Sequence, residues 1–147
     1  MDSLDRSILA ALVAEGRMTL QELASSVHLG PSATRERLRR LERSAISGYS
    51  ATVDPVVLGY TVEALVEIDF PGDADSEGFE TALRDIPQVI EALHATGEHD
   101  YVLRLRCVDT TELHETVRGF KTQHRATKTR TSVVLDQTLP RRQRLPR

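Results

Sequence analysis

Apolar residues recur at helical spacing through Leu4, Ile8, Leu9, Leu12 and Val13 until Gly16 ends the run, which predicts an opening helix. A second helix opens at Thr19. Glu22, three residues on, completes a capping box in which each side chain satisfies the other's backbone N–H, and Leu20, Leu23, Ala24 and Val27 turn inward. His28-Leu29-Gly30 then makes a tight turn. Pro31 suits the first position of a third helix, where its missing N–H would be unpaired anyway, and Gly30 is left as the N-cap. With about 3.6 residues per turn, Thr34, Leu38, Leu41 and Ala45 share one face of that helix, while Ser32, Glu36, Arg39, Arg40 and Arg43 point the opposite way.

Beyond Tyr60 the period changes from helical to two. Val62, Ala64, Val66, Ile68 and Phe70 alternate with Glu63, Leu65, Glu67 and Asp69, and Pro71-Gly72 ends the strand. A helix over 76–86 buries Phe79, Leu83 and Ile86, and strands follow at 89–96 and 101–108 around a turn at 97–100. A second helix begins near Thr111 with Leu113, Val117 and Phe120 inward, and a last strand runs over 128–135. The order β-α-β-β-α-β predicts a ferredoxin-like sheet with both helices on one face, making the chain α+β. The first strand then lies between the third and fourth. Glu63 and Glu67 fall beside Arg104 or Arg106 and Arg130 on the face without helices, where opposite charges attract across strands. A half-apolar bare face of this kind suits a dimer, although antiparallel sheets can also face water.

Charge separates the segments further. The net charge of −3 combines near balance over residues 1–50 with a strongly acidic stretch over 61–120 and a basic end over 121–147. An acidic middle cannot meet a polyanion, so any nucleic-acid contact falls to the first fifty residues or the end. Residues 32–43, SATRERLRRLER, hold five arginines. Two short helices, a three-residue turn and this basic third helix form a helix-turn-helix whose third helix would enter the major groove; a solvated amphipathic helix is the plainer alternative. Cys107 is the single cysteine, so no internal disulfide is expected. No run reaches the roughly 18 apolar residues of a membrane span. The acidic start has no basic n-region, so a cytoplasmic address is expected.

The runs LDRSILAALVAEGR, TLQELASSVHLGPSATRERLRRLE, ISGYSATVDPVVLGY, TGEHDYVLRLR and TKTRTSVVL come in an order that resembles the Lrp/AsnC, or feast/famine, family of transcriptional regulators across nearly the whole chain. The Leu4-Asp5 start, the block from Arg37 to Glu42, Gly48-Tyr49, and Gly97 with Asp100 carry most of it. The resemblance implies a winged-helix-like DNA-binding domain over 1–50, a hinge over 51–59 restrained by Pro55, and an effector-binding and oligomerisation domain over 60–137. It implies a homodimer and a tetramer of dimers, an octamer, tuned by an amino acid or related metabolite. The basic tail, 138–147, has no counterpart. His28 stands where the family usually has glycine, Gly30 where it has Ser or Thr, and His124-Arg125-Ala126 where it has Pro-Gly-Val.

The expected partners are therefore double-stranded DNA, a small-molecule effector and further copies of the chain, with no membrane. Ser32, Ala33 and Glu36 are placed to reach base edges, while Arg35, Arg37, Arg39, Arg40 and Arg43 meet phosphate. The resemblance also implies that the effector binds at the loop of Gly97, Glu98, His99, Asp100 and Tyr101, where Gly97 would let a ligand approach the backbone and Asp100 or Glu98 would receive an ammonium group. A hairpin turn alone would also account for Gly97 and Asp100. No P-loop, G-x-G-x-x-G, G-x-S-x-G or metal-ligand spacing is present, so no enzyme, cofactor or metal is expected. Two alternatives stay open: a haem-pathway decarboxylase-like protein of the same architecture, and a nucleoid-type architectural DNA-binding protein.

Overall fold

The computed structural model describes residues 1–72 and 76–138. The expected basic tail, Thr138 apart, lies outside them. Two compact units are present, one containing residues 1–52 and the other residues 53–138.

The first unit contains α1 (Ser3–Ala14), α2 (Leu20–Ser26) and α3 (Pro31–Ser44). Thr19 and Glu22 make the expected capping box: the Thr19 amide donates to Glu22 Oε2 at 2.7 Å and the Glu22 amide to Thr19 Oγ1 at 3.3 Å. A second capping box, between Asp2 and Asp5, starts α1. Gly30 caps α3 without a side chain, and Pro31 follows it. Ile8, Leu23, Val27 and Leu41 form the core, with Leu12, Leu29, Leu38 and Ile46 packed on it. Each such side chain contributes about 1.5–3 kcal/mol on burial. No strand forms in residues 1–52, and the three helices close their core among themselves, as a helix-turn-helix domain does.

The second unit is a four-stranded antiparallel sheet ordered β2-β3-β1-β4, built from β1 (Val62–Asp69), β2 (Val89–His94), β3 (Tyr101–Cys107) and β4 (Lys128–Val133). The helices α4 (Ser76–Leu83) and α5 (Thr110–Thr122) connect β1 to β2 and β3 to β4. This is the β-α-β-β-α-β order read from the sequence, with the elements trimmed by one to three residues at several ends. Ala64, Val66 and Ile68 of β1 and Leu103, Leu105 and Cys107 of β3 share one buried cluster with Phe79, Leu83, Leu113 and Phe120 of the two helices. Both helices thus cover the same sheet face. Burial pushes the Cys107 thiol up to about 11, with Glu112 and Asp109 adding to the shift, so it is a packing residue and not a thiolate at neutral pH.

The opposite face carries the ions predicted for it. Glu63 pairs with Arg104 at 2.5 Å and Arg106 at 2.9 Å, Arg104 also reaches Glu91 at 3.3 Å, and Arg130 stands 3.7 Å from Glu67. Burial works to raise the Glu63 carboxyl, but the two guanidiniums outweigh it and hold it below the ordinary glutamate range. Leu65 lies among these charges, partly exposed.

Among the described residues two that bear side chains hold left-handed backbone, His28 at φ 55° and Arg125 at φ 60°. They are the two places where the resemblance would lead one to expect glycine. Left-handed backbone costs a non-glycine residue about 1–2 kcal/mol, against about 0.5–1 kcal/mol of extra chain entropy lost when glycine folds. His28→Gly should therefore stabilise the first unit, and Arg125→Gly the second, each by about 0.5–1 kcal/mol in urea unfolding. An unchanged or lowered midpoint would mean that the side chain contributes more than its backbone costs.

Candidate functional site

Helix α3 divides its polar residues between two directions. Pro31, Ser32, Arg35, Glu36, Arg39 and Arg43 line one open groove of about 470 Å³. Ala33 is exposed near its start. Thr34 and Leu41 face inward, with Thr34 Oγ1 donating to the Gly30 carbonyl at 3.0 Å. Three guanidiniums on one exposed helical face, beside short side chains at the N-terminal turn, have the composition of a phosphate- and base-reading surface.

Arg37 and Arg40 do not join them. Arg37 Nη1 reaches Asp2 Oδ2 at 2.6 Å and Asp5 Oδ1 at 2.8 Å, and Arg40 Nη2 reaches the Asp5 oxygens at 2.8 and 3.0 Å. The sequence reading, which gives all five arginines to phosphate, does not foresee these pairs. The helical wheel places Arg40 outward, and its side chain is 54% exposed; what the wheel does not show is the carboxylate of another helix within reach. Asp5 is only 2% exposed although it carries a charge. Burial works to raise its carboxyl, but the Asp2 backbone N–H and the two guanidiniums outweigh it and hold the group below the ordinary value of 3.8. The Asp5 backbone N–H and Arg37 lower Asp2 in the same direction. Sequence reasoning read Asp5 only as part of a family start; its spacing from Asp2 matches a capping box and could have been found.

In the second unit the loop between β2 and β3 is tied to the end of β1. The Asp100 amide donates to the Ile68 carbonyl at 3.1 Å, and Asp100 Oδ2 accepts the Phe70 N–H at 2.8 Å. Gly97 holds φ 140°, a conformation that side chains resist. His99 Nδ1 lies 2.8 Å from Asp69 Oδ1 and its Nε2 lies 3.3 Å from Glu67 Oε2, both these last atoms being buried without a hydrogen-bond partner. Glu98 is exposed and makes no hydrogen bond or ion pair among the described residues.

Tyr101 leaves this group. Its ring is 2% exposed, packs edge-on to Phe79 and Phe70, and stacks on His94 at 4.6 Å. Its hydroxyl donates to Glu80 Oε1 at 2.9 Å, and burial with that carboxylate pushes the phenol up to about 12. The period of two explains the correction: the first residue of β3 points to the helix-covered face, while the loop before it stays outside. Glu67, Asp69 and the Phe70 amide are the participants that sequence reasoning missed, because only strand pairing brings them to residues 99 and 100. A separate cavity of about 260 Å³ lies between the Pro55–Tyr60 turn, Glu63 with Arg106, and the chain after β4, and holds none of the loop residues.

Residues 1–42 match the AsnC-type helix-turn-helix domain and residues 63–144 the Lrp/AsnC ligand binding domain. The chain is 32% identical to the HTH-type transcriptional regulator LrpA of Mycobacterium tuberculosis, over 99% of this chain and 97% of that protein. It is 37% identical to the leucine-responsive regulatory protein of Escherichia coli strain K12, over 74% of this chain and 68% of that one. A feast or famine regulatory protein from M. tuberculosis, solved in complex with L-methionine, matches with a TM-score of 0.90 at 32% identity, covering 99% of each chain. A transcriptional regulator from Neisseria meningitidis, also solved with L-methionine, matches with a TM-score of 0.89 at 27% identity, over 95% of this chain and 93% of that one.

The depressed Asp2 and Asp5 carboxyls fix the sign of an acid response. Their contribution is complete above the ordinary aspartate range and is lost as the pH falls through their lowered values, so the first unit should weaken below about pH 4. Asp5→Asn should lower its thermal midpoint by several degrees at neutral pH and flatten the further loss at about pH 3, followed by circular dichroism. An acid loss as steep in Asp5→Asn as in wild type would place its origin elsewhere.

Proposed function

The chain belongs to the Lrp/AsnC family of transcriptional regulators, and from that premise we propose that it reads specific double-stranded DNA with α3 and is tuned by a small amino acid bound at the loop of residues 97–100. The observation that carries the DNA reading is the single exposed face of Ser32, Arg35, Glu36, Arg39 and Arg43, in an otherwise acidic chain. Arg35, Arg39 and Arg43 hold phosphates and set the register, while Ser32, Ala33 and Glu36 reach base edges. Among the described residues no helix is long and apolar enough to cross a membrane, and a DNA target puts the protein in the cytoplasm. The curated relatives matched are named as regulators, which favours this reading over a decarboxylase-like one.

The effector reading is supported by two relatives solved with L-methionine. Glu98 offers an exposed carboxylate, and Asp100, with one oxygen engaged by the Phe70 N–H, keeps capacity for a second donor. An α-ammonium group suits both. Self-association as a dimer and then a tetramer of dimers would use the open sheet face, where Leu65 lies among paired charges that a partner can cover without stranding any of them. An effector acts by binding one arrangement of dimers better than another.

If the α3 face meets phosphate, Arg39→Ala with Arg43→Ala should weaken binding to every duplex sequence and flatten the log–log salt dependence by about 0.9 per lost contact. An unaltered salt series in gel shift would return the helix to a merely solvated role. For the effector, Glu98→Ala and Gly97→Ala should each reduce L-methionine binding in calorimetry while leaving duplex affinity intact. Asp100→Ala should also cost about 1 kcal/mol of stability through the orphaned Phe70 N–H. Undiminished methionine binding in both Glu98→Ala and Gly97→Ala would move the site away from this loop.

A further inference from the structure

We propose that Asp5 is a positioning residue for DNA binding: it holds Arg37 and Arg40 away from phosphate and leaves Arg35, Arg39 and Arg43 as the only cations that α3 presents. This rests on the reading of the α3 face given above. The Asp5 carboxylate is buried and has a full set of donors. Arg37 Nη1 and Arg40 Nη2 each reach Oδ1 at 2.8 Å, while Arg40 Nη2 at 3.0 Å and the Asp2 amide at 3.1 Å reach Oδ2. Asp2 Oδ2 holds Arg37 a second time at 2.6 Å.

Each guanidinium is pinned to the Asp5 carboxylate through one terminal nitrogen, Arg37 Nη1 and Arg40 Nη2, a charge-assisted contact against which a phosphate must compete for the same cation. Drawing both arginines onto DNA would leave a buried charge without its counterions, which is among the costlier changes a protein can undergo. A phosphate contact at a hydrated surface, weakened by salt, does not offset that. Arg40 is the informative member: 54% of its side chain is exposed, so it is held by pairing and not by enclosure. The consequence is a count. Five arginines on α3 yield three phosphate contacts, and α1 and α3 are locked together by the other two.

Salt dependence reads that count, since each neutralised phosphate adds about 0.9 to the slope of log affinity against log salt. The experiment titrates the full-length protein onto a mixed-sequence duplex between about 50 and 200 mM salt, comparing wild type, Arg39→Gln, Arg40→Gln and Asp5→Asn. Arg39→Gln should lower the slope by about 0.9. Arg40→Gln should keep the wild-type slope while its thermal midpoint falls. Asp5→Asn, if folded by circular dichroism, should steepen the slope by about 0.9 for each arginine it releases. If Asp5→Asn does not fold, Arg40→Gln decides alone, because it keeps the Arg37–Asp5 pair. A slope lowered as much in Arg40→Gln as in Arg39→Gln overturns the proposal and leaves the DNA reading standing, and so does a folded Asp5→Asn with the wild-type slope. A slope unmoved by both arginine variants overturns the reading of the α3 face and this inference with it.

Discussion

The second unit hangs on the strict alternation of β1. As one of the two inner strands it pairs with β3 on one side and β4 on the other, and its residues divide between two faces with no exception from Val62 to Asp69. Ala64, Val66 and Ile68 support both helices. Glu63 and Glu67 organise the arginines of β3 and β4 behind them. A slip of one residue would send three carboxylates into the core, so the register is held by the high cost of burying a charge as well as by apolar packing. The loop proposed for the effector is anchored at the end of the same strand, through Ile68, Asp69 and Phe70. Its shape is therefore a consequence of β1 more than of its own sequence.

The first unit meets a different constraint in a different way. Three short helices bury few large side chains, and the interface between α1 and α3 is finished by a charged group. Asp5 contributes there only because its donors are supplied together: the Asp2 amide from the capping box, and two guanidiniums from α3. Partial satisfaction would destabilise, since a buried carboxylate with a missing partner is worse than an apolar residue in its place. The same network engages two of the five arginines of α3, Arg37 and Arg40, in building the unit.

His28 and Arg125 place left-handed backbone where glycine would be easier. In both cases neighbouring hydrogen bonds hold the turn: the Leu29 amide donates to the Ala24 carbonyl at 3.0 Å, and the Ala126 amide to the Phe120 carbonyl at 3.0 Å. Each turn closes the end of a helix, and the required chain reversal outweighs the preference of the side chain.

Much of this was legible in the chain. The shift from helical period to a period of two separates the helix-turn-helix from the sheet, the Thr19–Glu22 box marks the start of α2, and the alternation of Tyr60 to Phe70 assigns both sheet faces down to the Glu63–arginine pairs. These are local signals, or follow from a topology that local signals define. What they do not carry is partnership across elements. A helical wheel knows the angle of Arg40 but not that Asp5 stands beside it, so the ion pairs of Arg37 and Arg40 go unseen. A loop motif groups Tyr101 with Asp100 by adjacency, although strand geometry turns the tyrosine into the core and ties the aspartate to the Phe70 N–H. Periodicity by itself determined which residues face inward; only the tertiary structure decided which charges are already engaged, because that depends on groups far apart in the sequence being brought within hydrogen-bonding distance.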